Sequence, residues 1–92
     1  MSMKNNQILL PPQVLHLIER LEAAGEEAWI VGGCVRDSLM GKIPHDWDMT
    51  TSASTGRMKE IFSDKRLLLN GEQHGTVGVI EDGAVYEITT YR

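Results

Sequence analysis

Two carboxylates one residue apart, Asp46 and Asp48, flank an aromatic in the stretch His45-Asp46-Trp47-Asp48-Met49-Thr50-Thr51. On a strand, successive side chains alternate, so both carboxylates share one face while Trp47 and Met49 take the other. Like charges on one open face repel, and a divalent cation between them is the usual reason for such a pair. A solvated acidic turn is the plain alternative. The apolar residues alternating with the carboxylates favour a half-buried strand instead.

Upstream lies Val31-Gly32-Gly33-Cys34-Val35-Arg36-Asp37. A strand running into Gly32-Gly33 and then a helix can hold phosphate, because glycines admit the anion and free amides of the first turn point at it. Arg36, three residues past Gly33, adds a guanidinium near that end. Alone, the same pattern is more often a packing turn with a surface Arg-Asp ion pair. Glu87 sits between Tyr86 and Ile88 and faces away from both on a strand, as a third metal ligand or as a solvated carboxylate. His45 and His74 offer too few convergent ligands for a transition-metal site. His74-Gly75-Thr76 reads as a structural turn, Cys34 as a small core residue and His16 as a surface residue. Taken together, the glycine turn and the carboxylates describe nucleotidyl transfer: phosphates held by the turn, one or two Mg2+ by Asp46 and Asp48.

Positioning those groups takes a frame. Pro11-Pro12 opens a helix in which Val14, Leu15, Ile18 and Leu21 form an apolar face, and Gly25 stops it. Ala28–Val31 is a short strand. Cys34–Met40 is a second helix, with Gly41 as its cap and Pro44 beyond. Asp46–Thr50 is the second strand, and Ser52 or Ser54 caps a helix running through Met58, Ile61 and Phe62. Lys65–Leu69, His74–Ile80 and Ala84–Thr90 are strands, the last two joined by a Glu81-Asp82-Gly83 turn. Met1–Gln7 is polar and reads as loose chain. The order predicts an α+β domain, helices packed on a mixed, mostly antiparallel sheet.

Composition narrows the class. A chain of 92 residues suits one domain with a single core, and 41% hydrophobic with 24% charged residues argues against bulk disorder. The net charge of −4 leaves no basic stripe, so a polyanion must be gripped locally or by parts outside this chain. The lone Cys34 suits a reducing compartment. No apolar run reaches membrane-span length and the start lacks a signal core, which predicts a cytoplasmic protein with no membrane partner.

The joint spacing resembles a known family. Val31 to Asp37, then Leu39-Met40-Gly41, then Asp46-Trp47-Asp48-Met49-Thr50-Thr51 is similar to the amino-terminal signature of class II tRNA nucleotidyltransferases. These CCA-adding enzymes and the bacterial poly(A) polymerases share the polymerase β-like nucleotidyltransferase fold. His74-Gly75-Thr76-Val77 and Tyr86-Glu87-Ile88-Thr89-Thr90-Tyr91-Arg92 resemble the later head-domain strands. The resemblance implies that Gly33 and Arg36 contact the incoming nucleotide, that Gly32 shapes the turn and that Asp46 and Asp48 bind catalytic Mg2+, with Mn2+ as a substitute. Asp37 would position Arg36 or its loop, while Glu87 and Arg92 match without an assigned role. CTP and ATP would be the substrates and a tRNA 3′ end the acceptor.

The family continues into neck, body and tail domains that select the base and grip tRNA, and those are absent from these residues. Residues 1–92 therefore read as a single head domain cut from a longer protein, expected to bind metal and triphosphate weakly and not to add CCA alone. CC-adding or A-adding specialists and poly(A) polymerases fit the same residues. A small stand-alone nucleotidyltransferase would begin its turn with Gly-Ser and lack the later motifs. A non-enzymatic nucleotide-binding module predicts loss of a key group, and both carboxylates, both glycines and the arginine are present.

Overall fold

The structure, a computed structural model, describes the backbone of Ser2–Met3 and residues 11–31 and 47–91. The expected Gly32-Gly33 turn and Cys34–Met40 helix lie outside the described residues, as do Asp46 and Arg92.

Helix α1, Pro12–Ala23, begins where Pro11 holds an extended backbone, and its Val14, Leu17, Ile18 and Leu21 are buried. It ends as expected. Gly25 adopts a left-handed φ of 88°, its N–H bonds the Glu22 carbonyl, and the Glu26 N–H reaches back to Leu21. One residue of the expected apolar face is corrected: Leu15 is 37% exposed and Leu17 takes its place inward. Leu17, Val14 and Leu21 stack at helical spacing, leaving Leu15 on the flank.

Strands β1 (Ser2–Met3), β2 (Ala28–Val31), β3 (Asp48–Thr51), β4 (Arg66–Leu68), β5 (Thr76–Glu81) and β6 (Ala84–Thr90) form one sheet in the order β1-β2-β3-β6-β5-β4. Only β3 and β6 run parallel; the other neighbours are antiparallel. The α+β expectation, a mixed and mostly antiparallel sheet with packed helices, holds. Helix α2, Thr55–Ile61, is the one capped by Ser54, whose hydroxyl accepts the Arg57 N–H. Helix α1 packs on β2, α2 on β5, and the two helices meet. Between helices and sheet lie Ile30, Met49, Met58, Phe62, Val77, Val79 and Ile88, all at or below 1% exposure. The one buried polar residue among those described, Thr51, is satisfied: its hydroxyl donates to the Glu27 carbonyl at 2.6 Å.

Four expectations shift. Ser2–Met3, expected to be loose, pairs antiparallel with Ile30 and Val31. An edge strand held by backbone bonds needs no side-chain pattern, which is why the polar sequence concealed it. The second strand starts at Asp48 and includes Thr51, with Trp47 just ahead of it and packed on the core. His74 belongs to a short 3-10 turn, Glu72–His74, and the strand begins at Thr76. Glu81 stays in β5, leaving Asp82 and Gly83 as the two-residue hairpin turn, with φ of 51° and 81°.

The turn at Gly75 is stringent. Its φ is 85°, a Cβ there would come within 3.0 Å of Thr90 Cγ2, and its carbonyl accepts the Thr90 N–H at 2.8 Å. Gly75→Ala is therefore expected to lower the thermal midpoint by several degrees, about 1–2 kcal/mol. Gly25→Ala meets no atom within 4 Å and keeps only the backbone strain. Paired melting curves check the order.

Arg20 fastens α1 to the end of α2 and the segment after it, donating to the Ile61 carbonyl and to Asp64 at 2.7 Å. That hydrogen bond holds the Asp64 carboxyl below the usual carboxylate range.

Candidate active site

Among the described residues, α1 and α2 pack on one face of the sheet, and the candidate site lies on the other. Because β3 and β6 run parallel with Asp48 opposite Glu87 and Met49 opposite Ile88, alternation sends both carboxylates to the open face and both apolar residues to the core. Asp48 and Glu87 are exposed. Aligned residues on adjacent strands lie about 4.8 Å apart at the backbone, close enough for two carboxylates to share one hard cation. Val31, the last residue of β2, pairs with Asp48 from the other side, so β2 ends beside the carboxylates. The strand ends expected to be neighbours thus are neighbours, between inner strands rather than at a lateral edge of the sheet.

The expected site residues divide accordingly. Asp48 and Glu87 stand side by side. Gly32, Gly33, Arg36, Asp37, Asp46 and Arg92 lie outside the described residues. Among the described residues no three His, Cys, Asp or Glu side chains cluster as a metal site. The donor set that is present, two carboxylates in register on an exposed face, suits a hard divalent cation.

A groove of about 500 Å³ runs over this face, lined by Val31, Asp48, Thr50, Thr76, Glu87 and Thr89 among others. Sequence reasoning missed its second row. Two residues along β3 and β6 from the carboxylates, Thr50 and Thr89 align, and Thr76 of β5 faces Thr89. The signal was available: Asp48-Met49-Thr50-Thr51 and Glu87-Ile88-Thr89-Thr90 carry one pattern, carboxylate, apolar, threonine, threonine. Only the parallel register turns that likeness into two rows across the face. At the far side, Leu68 and Val85 close over Gly78, where a Cβ would meet them at 3.2 and 3.1 Å.

Residues 28–92 match the family described as the poly A polymerase head domain. The chain belongs to that family. The head domain is 50% identical over 76 residues to a CCA-adding enzyme of Lactiplantibacillus plantarum, covering 83% of this chain and 18% of that protein. A CCA-adding enzyme of Latilactobacillus sakei subsp. sakei is 49% identical over 80 residues, 87% of this chain and 20% of the relative. Among solved structures, the Bacillus stearothermophilus CCA-adding enzyme in complex with CTP superposes with a TM-score of 0.80 at 38% identity, over 89% of this chain and 21% of the other. A Thermotoga maritima CCA-adding enzyme complexed with tRNA shares the fold, with a TM-score of 0.76 at 20% identity over 100% of this chain and 25% of its own. The head domain spans about a fifth of the length of the curated relatives it matches. The fold is that of polymerase β-like nucleotidyltransferase head domains. No helix among the described residues is long and apolar enough to cross a membrane.

Proposed function

We propose that residues 1–92 are the catalytic head domain of a tRNA nucleotidyltransferase that adds CMP and AMP, from CTP and ATP, to a tRNA 3′ end. The observation that carries this reading is the in-register Asp48–Glu87 pair on the sheet face opposite α1 and α2, beside the strand end that leads to Gly32-Gly33. Relatives named as CCA-adding enzymes at about half identity support it.

In the proposed reaction the acceptor's 3′-hydroxyl oxygen bonds to the α-phosphorus of the incoming nucleotide. The bond from that phosphorus to the bridging oxygen breaks, pyrophosphate leaves with the electron pair, and the hydroxyl proton passes to solvent. Asp46 and Asp48 hold the divalent cation, with Glu87 as a third oxygen donor. When bound, Mg2+ or Mn2+ supplies charge stabilisation for the attacking and leaving oxygens. Gly32 and Gly33 admit the triphosphate, Arg36 neutralises it, and Asp37 orients Arg36. Arg92 follows β6, and we assign it no step. The whole enzyme is cytoplasmic in this reading, and it grips tRNA through parts beyond these residues.

Incubating the full-length protein with tRNA lacking its terminal CCA, CTP, ATP and Mg2+ tests the reading. The expected product is tRNA extended by C, C and A, lost in the Asp46→Ala, Asp48→Ala double variant. No extension, or extension surviving both substitutions, overturns it. A second reading, poly(A) addition, is favoured by the description of the matched family. A product of repeated A from ATP alone would select it.

A further inference from the structure

The hydroxyl row beside the carboxylates has no part in the chemistry so far. Thr50 donates its proton to the Thr89 carbonyl at 2.8 Å, so that hydroxyl is committed. The Thr76 and Thr89 hydroxyls lie 2.9 Å apart and share one hydrogen bond, in either direction. Each hydroxyl carries one proton, so the pair holds two and uses one. The second proton has no acceptor among the described residues, and both side chains line the groove.

Direction along the sheet gives that donor a meaning. The chain leaves β2 for Gly32 at Val31, level with Asp48 and Glu87. Thr50, Thr89 and Thr76 lie on the opposite side of the carboxylate row, two residues or about 6.6 Å along the strands. In-line displacement requires the attacking and leaving oxygens on opposite sides of the reacting phosphorus. With the triphosphate entering from the glycine side, the acceptor must approach over the threonines. Its negative phosphate is repelled by the carboxylate row and attracted by a free O–H one row away.

Resting on the nucleotidyl-transfer reading, we propose that the Thr76/Thr89 hydroxyl pair binds a non-bridging oxygen of the terminal phosphodiester of the acceptor strand. It thereby positions the acceptor's 3′-hydroxyl at Asp48 and Glu87. These threonines are positioning residues, and they do not enter the bond-making step. Valine keeps the branched shape and suits a strand, so Thr76→Val with Thr89→Val removes the donors at little cost to folding.

Steady-state transfer by the full-length enzyme, with acceptor and nucleotide varied separately, provides the test. The double valine variant is expected to raise the KM for acceptor tRNA about tenfold or more, with the KM for CTP unchanged. The double serine variant, which restores the hydroxyls, brings the acceptor KM back. A methylphosphonate at the acceptor's last linkage removes the same contact from the other side. It raises the acceptor KM of the natural enzyme and adds nothing to the valine variant, a comparison independent of any loss of folding in the variant. An unchanged acceptor KM, an equal rise in the CTP KM, or a methylphosphonate without effect on the natural enzyme overturns the positioning role alone. An inactive natural enzyme overturns the nucleotidyl-transfer reading and this inference with it.

Discussion

Replacing Asp48 with asparagine in the full-length protein is expected to slow nucleotidyl transfer by about a thousandfold, roughly 4 kcal/mol of transition-state stabilisation. The amide keeps the side chain's size and removes its charge, and a neutral oxygen is a poor substitute for a carboxylate on a hard cation. Asp48 is exposed at the first residue of β3, so its substitution leaves the core intact, and the melting midpoint should move by no more than a few degrees. Single-turnover extension of a tRNA lacking CCA, at several Mg2+ concentrations, is the measurement. Retention of a tenth or more of the rate would remove Asp48 from the proposed metal site. Glu87→Gln, measured alongside, decides between a third ligand and a solvated carboxylate. A loss that higher Mg2+ partly restores supports the first, and an unchanged rate returns Glu87 to the second.

What the sequence revealed follows from the range of the interactions involved. Gly25 stops α1 because a left-handed cap is a local demand, and β6 and the Asp82-Gly83 turn were legible for the same reason. Glu87's direction was legible from alternation. The register was not: the pairing of Asp48 with Glu87 joins segments far apart in the chain, and nothing in either segment names its partner. The row of Thr50, Thr89 and Thr76 depends wholly on that pairing, so it went unseen although the four-residue likeness was present. β1 escaped because backbone hydrogen bonds alone make an edge strand. Leu15 reads as inward from sequence because an apolar residue at near-helical spacing fits two adjoining faces, and only the position of the sheet decides between them. Of the candidate site, Asp48 and Glu87 are brought together, and the assignments of Gly32, Gly33, Arg36, Asp37, Asp46 and Arg92, outside the described residues, rest on the sequence alone.

Phe62→Ala is expected to be the most destabilising single change among the described residues. The ring is fully buried at the end of α2, in the layer shared by both helices and the sheet. Removing it deletes the largest buried side chain and leaves a cavity that α1 and β5 cannot both close, a loss of about 3–5 kcal/mol. The Arg20 guanidinium lies 5.6 Å from the ring centroid, so the same substitution removes the surface beneath the Arg20–Asp64 link. Small domains have total stabilities of roughly 5–15 kcal/mol, so the change consumes a large share. A fall in melting midpoint of about 15–30 °C corresponds to that loss in a domain of this size. Leu15→Ala is the informative partner, because the sequence pattern alone places Leu15 on the apolar face of α1 with Val14, Ile18 and Leu21. At 37% exposure it should cost less than about 1 kcal/mol. Comparable losses at the two positions would mean that α1 is rotated about its axis from the orientation described. A steep loss at Phe62 with a shallow one at Leu15 is the pattern expected of the described packing, with α1 on β2 and α2 on β5.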